Sequence, residues 1–197
     1  MRILLLSVLL AFAFSPGAMA TDQSVAERVS HFDEAIQTFT LTCMAHFFNK
    51  EDLHAKYDHH PDKAVTYTQQ QAQAFLRGAK GSAWGIRGKA SNYVVLLTES
   101  GICSVSAQKA GPAVSRDFDE FLKIFFDNTA LVPVSPEIAG PNNDLVKSKG
   151  YRLSVKGKVL PPVFSIVESR DPNLNFAALV SIYFPLETSQ AKKSAAK

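Results

Sequence analysis

The residues with the clearest chemical potential lie in the stretch HAKYDHHPD, residues 54–62, which holds three of the chain's five histidines. If this region is helical, Glu51, His54 and Asp58 stand at positions i, i+3 and i+7 and share one face. With His59 they would offer carboxylate and imidazole ligands of the kind that zinc or copper takes. The alternative interpretation is a polar connector at a helix end, and we favour it because no recognised ligand spacing is present.

A second candidate is the basic stretch KSKGYRLSVKGK, residues 147–158. In an extended strand its even-numbered residues share one face. Its candidate partner-binding residues are Lys147, Lys149, Arg152, Lys156 and Lys158. Together with the proline-containing segment 128–146 they could hold an anionic partner. The alternative is a solvated sheet edge that lysines protect from aggregation.

Catalytic motifs are few. The chain contains no G-x-S-x-G and no H-E-x-x-H sequence, so neither a nucleophile elbow nor a zincin helix is predicted. A Ser-His-Asp site could still assemble in space, since such triads are defined by geometry rather than by chain order. Every histidine lies before residue 61, so one of them would have to meet a distant serine, and the sequence does not single one out. An envelope hydrolase therefore stays as an alternative without named catalytic residues.

Residues 1–20 have the layout of a secretory signal peptide. Arg2 precedes an apolar segment from residue 3 to residue 14, and Ala18-Met19-Ala20 has the A-x-A form of a cleavage site. We therefore expect a periplasmic or secreted protein without a membrane span. The formal net charge of +3 argues against a dedicated nucleic-acid binder.

Cys43 and Cys103 are the only cysteines. In an exported chain two cysteines that remain after signal cleavage are most simply explained by one disulfide. Cys43 falls on the apolar stripe of a predicted helix and Cys103 on the apolar face of a predicted strand. The two positions predict a helix packed on a sheet and joined to it by this bond.

The apolar spacing predicts three helices and six strands. The helices are expected at 24–49, 62–78 and 115–128, and the strands at 82–89, 92–99, 102–107, 150–158, 163–169 and 175–184. Runs of adjacent strands set apart from the helices indicate an α+β domain with a mainly antiparallel sheet of five to six strands and a long N-terminal helix. We expect one domain over 21–187 and a disordered tail over 188–197.

Three features of the chain resemble a group of small exported bacterial proteins of unknown function. They are the long first helix that carries Cys43, the Ala83-Trp84 entry into the sheet, and the Gly101-Ile102-Cys103 strand. The resemblance covers residues 30–126 and implies that the two cysteines belong to a shared frame. It carries over no activity.

These observations predict a non-catalytic binding or protein-interaction module that is stabilised by one disulfide and needs no cofactor. Its expected partner is another envelope or secreted protein, or an anionic component of the envelope. The alternatives are a zinc- or copper-binding protein that uses the histidine stretch, and the envelope hydrolase.

Overall fold

The computed structural model describes residues 30–126, 129–135 and 144–185. The predicted signal peptide (1–20) and the predicted tail (188–197) lie outside these ranges. The described residues form an α+β fold with four α-helices, one π-helical segment and eight strands. None of the described helices is both long and apolar enough to cross a membrane.

The eight strands form one antiparallel sheet in the order β1-β2-β3-β4-β8-β7-β6-β5. Their bounds are β1 Val65–Thr66, β2 Gly81–Arg87, β3 Asn92–Thr98, β4 Cys103–Ala107, β5 Ala130–Val134, β6 Val146–Val155, β7 Lys158–Ser169 and β8 Ala178–Tyr183. Strands β3, β4 and β8 form its centre and are almost completely buried. Burial of both faces explains why β3 reads as an unbroken apolar run instead of an alternating one.

The helices lie on both faces of the sheet. They are α1 Glu34–Phe39, α2 Lys50–Tyr57, α3 Gln69–Leu76 and α4 Val114–Phe125, with the π-helical segment Thr40–Met44 directly after α1. Helices α1, α2 and α4 share the main hydrophobic core with one face of the sheet. Helix α3 packs its apolar residues against β2 and β3 in a second cluster on the other face.

The prediction of a long N-terminal helix is wrong for the residues that the structure describes. The α-helix covers only Glu34–Phe39, because Asp33 caps a new start there by accepting a hydrogen bond from the Ala35 amide at 2.8 Å. The chain then widens into the π-helical segment, where the Thr40 and Thr42 hydroxyls donate to carbonyls four residues earlier. Such back-bonding from threonine is known to bend helices. The expected residues 24–29 lie outside the described ranges.

The predicted count of five to six strands is too low, because two strands carry no clear pattern. Strand β1 is only two residues long, and both of them are exposed. Strand β5 contains Pro133 and was expected to be part of a long connection. Proline is tolerated there because β5 is an edge strand, where an amide can be missing without breaking the sheet.

The second predicted helix begins later than expected, at Gln69 instead of Asp62. A capping box sets this start: Thr68 Oγ1 accepts from the Gln71 amide, and Gln71 Oε1 accepts from the Thr68 amide at 2.9 Å. Residues 65–67 before it run along β2, where the Tyr67 amide donates to the Ala83 carbonyl.

The predicted disulfide is confirmed. Cys43 lies in the π-helical segment and Cys103 at the start of β4, and their Cα atoms are 5.4 Å apart. Both residues are buried in the main core. The bond therefore joins the first helical unit to the centre of the sheet, just before the chain continues into α2.

Candidate functional site

A buried tryptophan organises the part of the structure that has the most defined polar geometry. Trp84, the chain's only tryptophan, lies on β2 and is fully buried beneath α2. A buried indole N–H needs an acceptor. It finds one in Asp58, directly after α2, and the Nε1–Oδ1 distance is 2.7 Å.

The Asp58 carboxylate also holds the side chain of His54 in place. It stands one helical turn before Asp58, so the two side chains meet on one face of α2. The Nδ1–H group of His54 donates to Asp58 Oδ2 at 2.9 Å. The edge of the imidazole also packs against Trp84, with the ring centroids 5.0 Å apart. The ring is therefore held by two independent contacts.

Asp58 is held in its charged form by these neighbours. Partial burial acts to raise the pKa of Asp58, but hydrogen bonds from Trp84 and His54 and the nearby His59 outweigh that effect and keep the pKa below its usual value. An ionised carboxylate can only accept, so the hydrogen between the two side chains belongs to Nδ1 of His54.

His54 faces a cleft of 660 Å³ between the first turns of α2 and α3 and the neighbouring ends of β2 and β3. The cleft is lined by Lys50, Glu51, His54, Gln69, Lys80, Gly81, Ser82, Leu97, Thr98 and Glu99. Asp58 is not part of this lining. Nδ1 of His54 is bonded to Asp58, and the His54 side chain forms part of the cleft wall.

Four charged side chains surround the cleft. Lys50 and Glu51 come from the first turn of α2, whereas Lys80 and Glu99 lie at the paired ends of β2 and β3, where the Glu99 amide donates to the Lys80 carbonyl at 2.9 Å. Among the described residues none of the four forms an ion pair within 4.0 Å. The described lining of the cleft thus includes two cations and two anions.

The predicted metal ligands are only partly brought together. Glu51 and His54 both line the cleft, but both oxygens of Asp58 already accept hydrogen bonds. Within the described ranges no group of three or more His, Cys, Asp and Glu side chains is arranged to hold a metal ion. The zinc or copper site of Glu51, His54, Asp58 and His59 stays a prediction from the sequence.

The predicted basic surface is divided between several environments. Lys147 and Lys149 share the face of β6 that carries Tyr151 and Leu153, on the side of α4, while Arg152 lies on the opposite face. Lys149 is tied to α4, since its Nζ atom donates to Asp119 Oδ2 at 2.7 Å and to the Ser115 carbonyl at 2.6 Å.

The last two basic residues belong to a hairpin. Lys156 occupies a turn between β6 and β7 with a φ of 49°, and Lys158 opens β7. The turn interrupts the alternation on which the predicted common face depended. The five residues are therefore not presented as one ribbon.

Sequence reasoning identified His54 and Asp58 but missed their connection to Trp84 and the cleft. Asp58 and Trp84 are 26 residues apart, and only the packing of α2 on β2 brings them together. The available signal was chemical: a tryptophan that is buried in a strand needs an acceptor for its indole N–H.

Comparison with protein-family models, with curated proteins and with solved structures finds no match to this chain. The arguments for a function therefore rest on the geometry of the cleft.

Proposed function

We propose that this protein is an exported, non-catalytic binding module that holds a small polar ligand in the cleft beside His54. The observation that carries the proposal is the fixed imidazole, which is held by Asp58 and the buried Trp84 and forms part of the cleft wall. Binding sites in general combine a preformed concavity with a few well-placed polar groups. The cleft volume lies in the range of sites for small molecules.

The frame around the cleft supports the same proposal. The disulfide holds the segment before α2 against β4, and Lys50 begins α2 only seven residues after Cys43. A rigid support keeps polar groups in place before the ligand arrives, and this lowers the entropy lost on binding. The wall that carries His54 is supported in this way on both sides, by the disulfide and by Trp84.

The predicted interaction with an envelope partner through the basic residues and the proline-containing segment remains a separate proposal. Arg152, Lys156 and Lys158 are the residues that would serve it, since Lys149 already has partners on α4. Reversing all three to glutamate would abolish capture of an anionic partner without affecting binding in the cleft.

A hydrolase is the second candidate, and one observation favours it. An aspartate that orients histidine through Nδ1 is the arrangement found in Ser-His-Asp triads. Ser82 and Thr98 supply hydroxyl groups to the same cleft. If this candidate is right, the protein will hydrolyse p-nitrophenyl acetate and Ser82→Ala or Thr98→Ala will abolish the reaction.

The test of the binding proposal compares two histidine variants. Calorimetric titrations would use trialanine, putrescine, succinate and glucose as probes for zwitterionic, cationic, anionic and neutral ligands. At least one probe should bind the wild type, and His54→Asn should weaken it at least tenfold, which corresponds to about 1.4 kcal/mol. His31→Asn is the matched control, because His31 is exposed, outside the cleft lining and not among the groups that act on Asp58. Equal affinity of His54→Asn and wild type would contradict the proposal.

A further inference from the structure

We infer that the ligand of the cleft is a zwitterion with one ammonium and one carboxylate group, such as a free amino acid or a short peptide. This inference rests on the proposed function and narrows it to one chemical class. It starts from the balance of charge around the cleft, where Lys50 and Lys80 oppose Glu51 and Glu99.

The mixed charge disfavours ligands of a single sign. A dianion that reaches both lysines would also approach Glu51 and Glu99, and a diamine that reaches both glutamates would meet the two lysines. Like charges placed close together cost free energy and exclude such partners. A zwitterion can satisfy both signs at once, with each of its ends directed to the complementary side chain.

The cations of the cleft lie close to its anions. The ammonium group of Lys50 reaches from α2 to the Ser100-Gly101 turn, where a Cβ atom on Gly101 would come within 2.5 Å of it, and Glu99 directly precedes this turn. Lys80 lies beside Glu99, since its carbonyl accepts from the Glu99 amide. Both signs of charge are therefore available in one cleft to a ligand with two charged ends.

Glu51 distinguishes the two ends of the ligand. It lines the cleft nearly one helical turn before the fixed His54 ring, and its carboxylate can accept from an ammonium group, which is a donor with no acceptor of its own. We therefore place the ammonium end at Glu51.

The test compares trialanine with two blocked forms, N-acetyl-trialanine and trialanine amide, by calorimetry on the mature, oxidised protein. Trialanine should bind at least tenfold more tightly than either blocked form. Alanine as a further probe separates a site for free amino acids from one for peptides. An acetylated peptide that binds as tightly as the free one would overturn the inference.

Charge variants test whether the charged residues of the cleft cause the difference in affinity between free and blocked trialanine. In the double variant Lys50→Gln/Lys80→Gln, trialanine amide should bind as tightly as trialanine. In the double variant Glu51→Gln/Glu99→Gln, N-acetyl-trialanine should bind as tightly as trialanine. Lys123→Gln, on the exposed side of α4, is the matched control. Discrimination that persists in both double variants would overturn the assignment of the ligand's ends.

The outcomes separate this inference from the proposed function. Suppose that succinate, putrescine or glucose binds in a way that depends on His54, whereas trialanine does not bind. This result would overturn the inference of a zwitterionic ligand and would still support the proposed binding function. Failure of all four probes and of alanine would overturn both.

Discussion

The Asp58 carboxylate serves two partners of different kinds, a buried indole and an imidazole at the cleft. Asp58→Ala would leave the Trp84 N–H buried without an acceptor. A stranded buried donor costs about 1–3 kcal/mol, so we expect the free energy of unfolding in urea to fall by that amount. Asp62→Ala is the control, since the side chain of Asp62 is 73% exposed, and it should change stability by less than about 0.5 kcal/mol. Equal stability of the two variants would show that Trp84 does not depend on Asp58.

The lowered pKa of Asp58 predicts how its contribution to stability depends on pH. A carboxylate whose pKa is lower in the folded than in the unfolded protein contributes stability that is fully present above its unfolded pKa, about 3.9. That contribution is lost as the pH falls through the folded value. The difference in unfolding free energy between wild type and Asp58→Asn should therefore shrink as the pH falls below about 4, where the Asp58 carboxylate becomes protonated. A difference that does not shrink in this acid range would contradict the assignment.

At the scale of single residues, the sequence predicts contacts between side chains of one helix better than contacts between distant segments. The spacing of His54 and Asp58 predicts their meeting on a helix face, because it depends on local geometry alone. Trp84 is buried, and its hydrogen-bond partner depends on how α2 lies across β2. Contacts between distant segments follow from packing, which a local pattern does not contain.

The start of α3 is the helix boundary with the clearest local cause. Thr68→Ala removes the side-chain acceptor for the Gln71 amide and with it half of the capping box. Loss of an N-cap residue costs about 0.5–2 kcal/mol, so the free energy of unfolding should fall within that range. Gln70→Ala, exposed in the same helix, should leave stability equal or slightly higher, because alanine has the better helix propensity. A loss no larger in Thr68→Ala than in Gln70→Ala would contradict the role of the cap.

At the scale of elements, strongly patterned segments were predicted well and interrupted ones were not. The central strands and α4 fall within a few residues of their expected positions, since their periodicity is clear. The first helix keeps its apolar stripe, yet Asp33 and the threonines that follow divide it into shorter units. Strand β5 was missed because Pro133 indicates a loop everywhere except at a sheet edge.

At the scale of the whole molecule, one disulfide closes a loop between residues that are 60 positions apart. The chain-entropy model predicts that such a bond stabilises the folded protein by about 4 kcal/mol. The double variant Cys43→Ala/Cys103→Ala should therefore unfold at markedly lower denaturant concentration. Reduction of the wild type should have the same effect, whereas reductant should not change the double variant. An unchanged transition would show that the helix and the sheet are held together by packing alone.

The α+β class could be inferred for the whole molecule because adjacent strands and separate helices leave a clear order in the chain. The width of the sheet could not be inferred, since it depends on two edge strands that are short or interrupted by proline. The cleft could not be predicted from the sequence either, because its walls come from α2, α3, β2 and β3 and meet only in the folded protein.

The central claim is that the ligand site is the cleft beside His54, and the chain's single tryptophan offers a direct measurement. A ¹H–¹⁵N correlation spectrum of the labelled mature protein contains one indole cross-peak, from the Trp84 N–H that is hydrogen-bonded to Asp58. Titration with trialanine should shift this peak, together with the amides of Ser82 and Glu99, along one saturable curve that is lost in His54→Asn. Saturable shifts confined to residues 147–158, with an unmoved indole peak, would contradict the claim and assign binding to the basic residues.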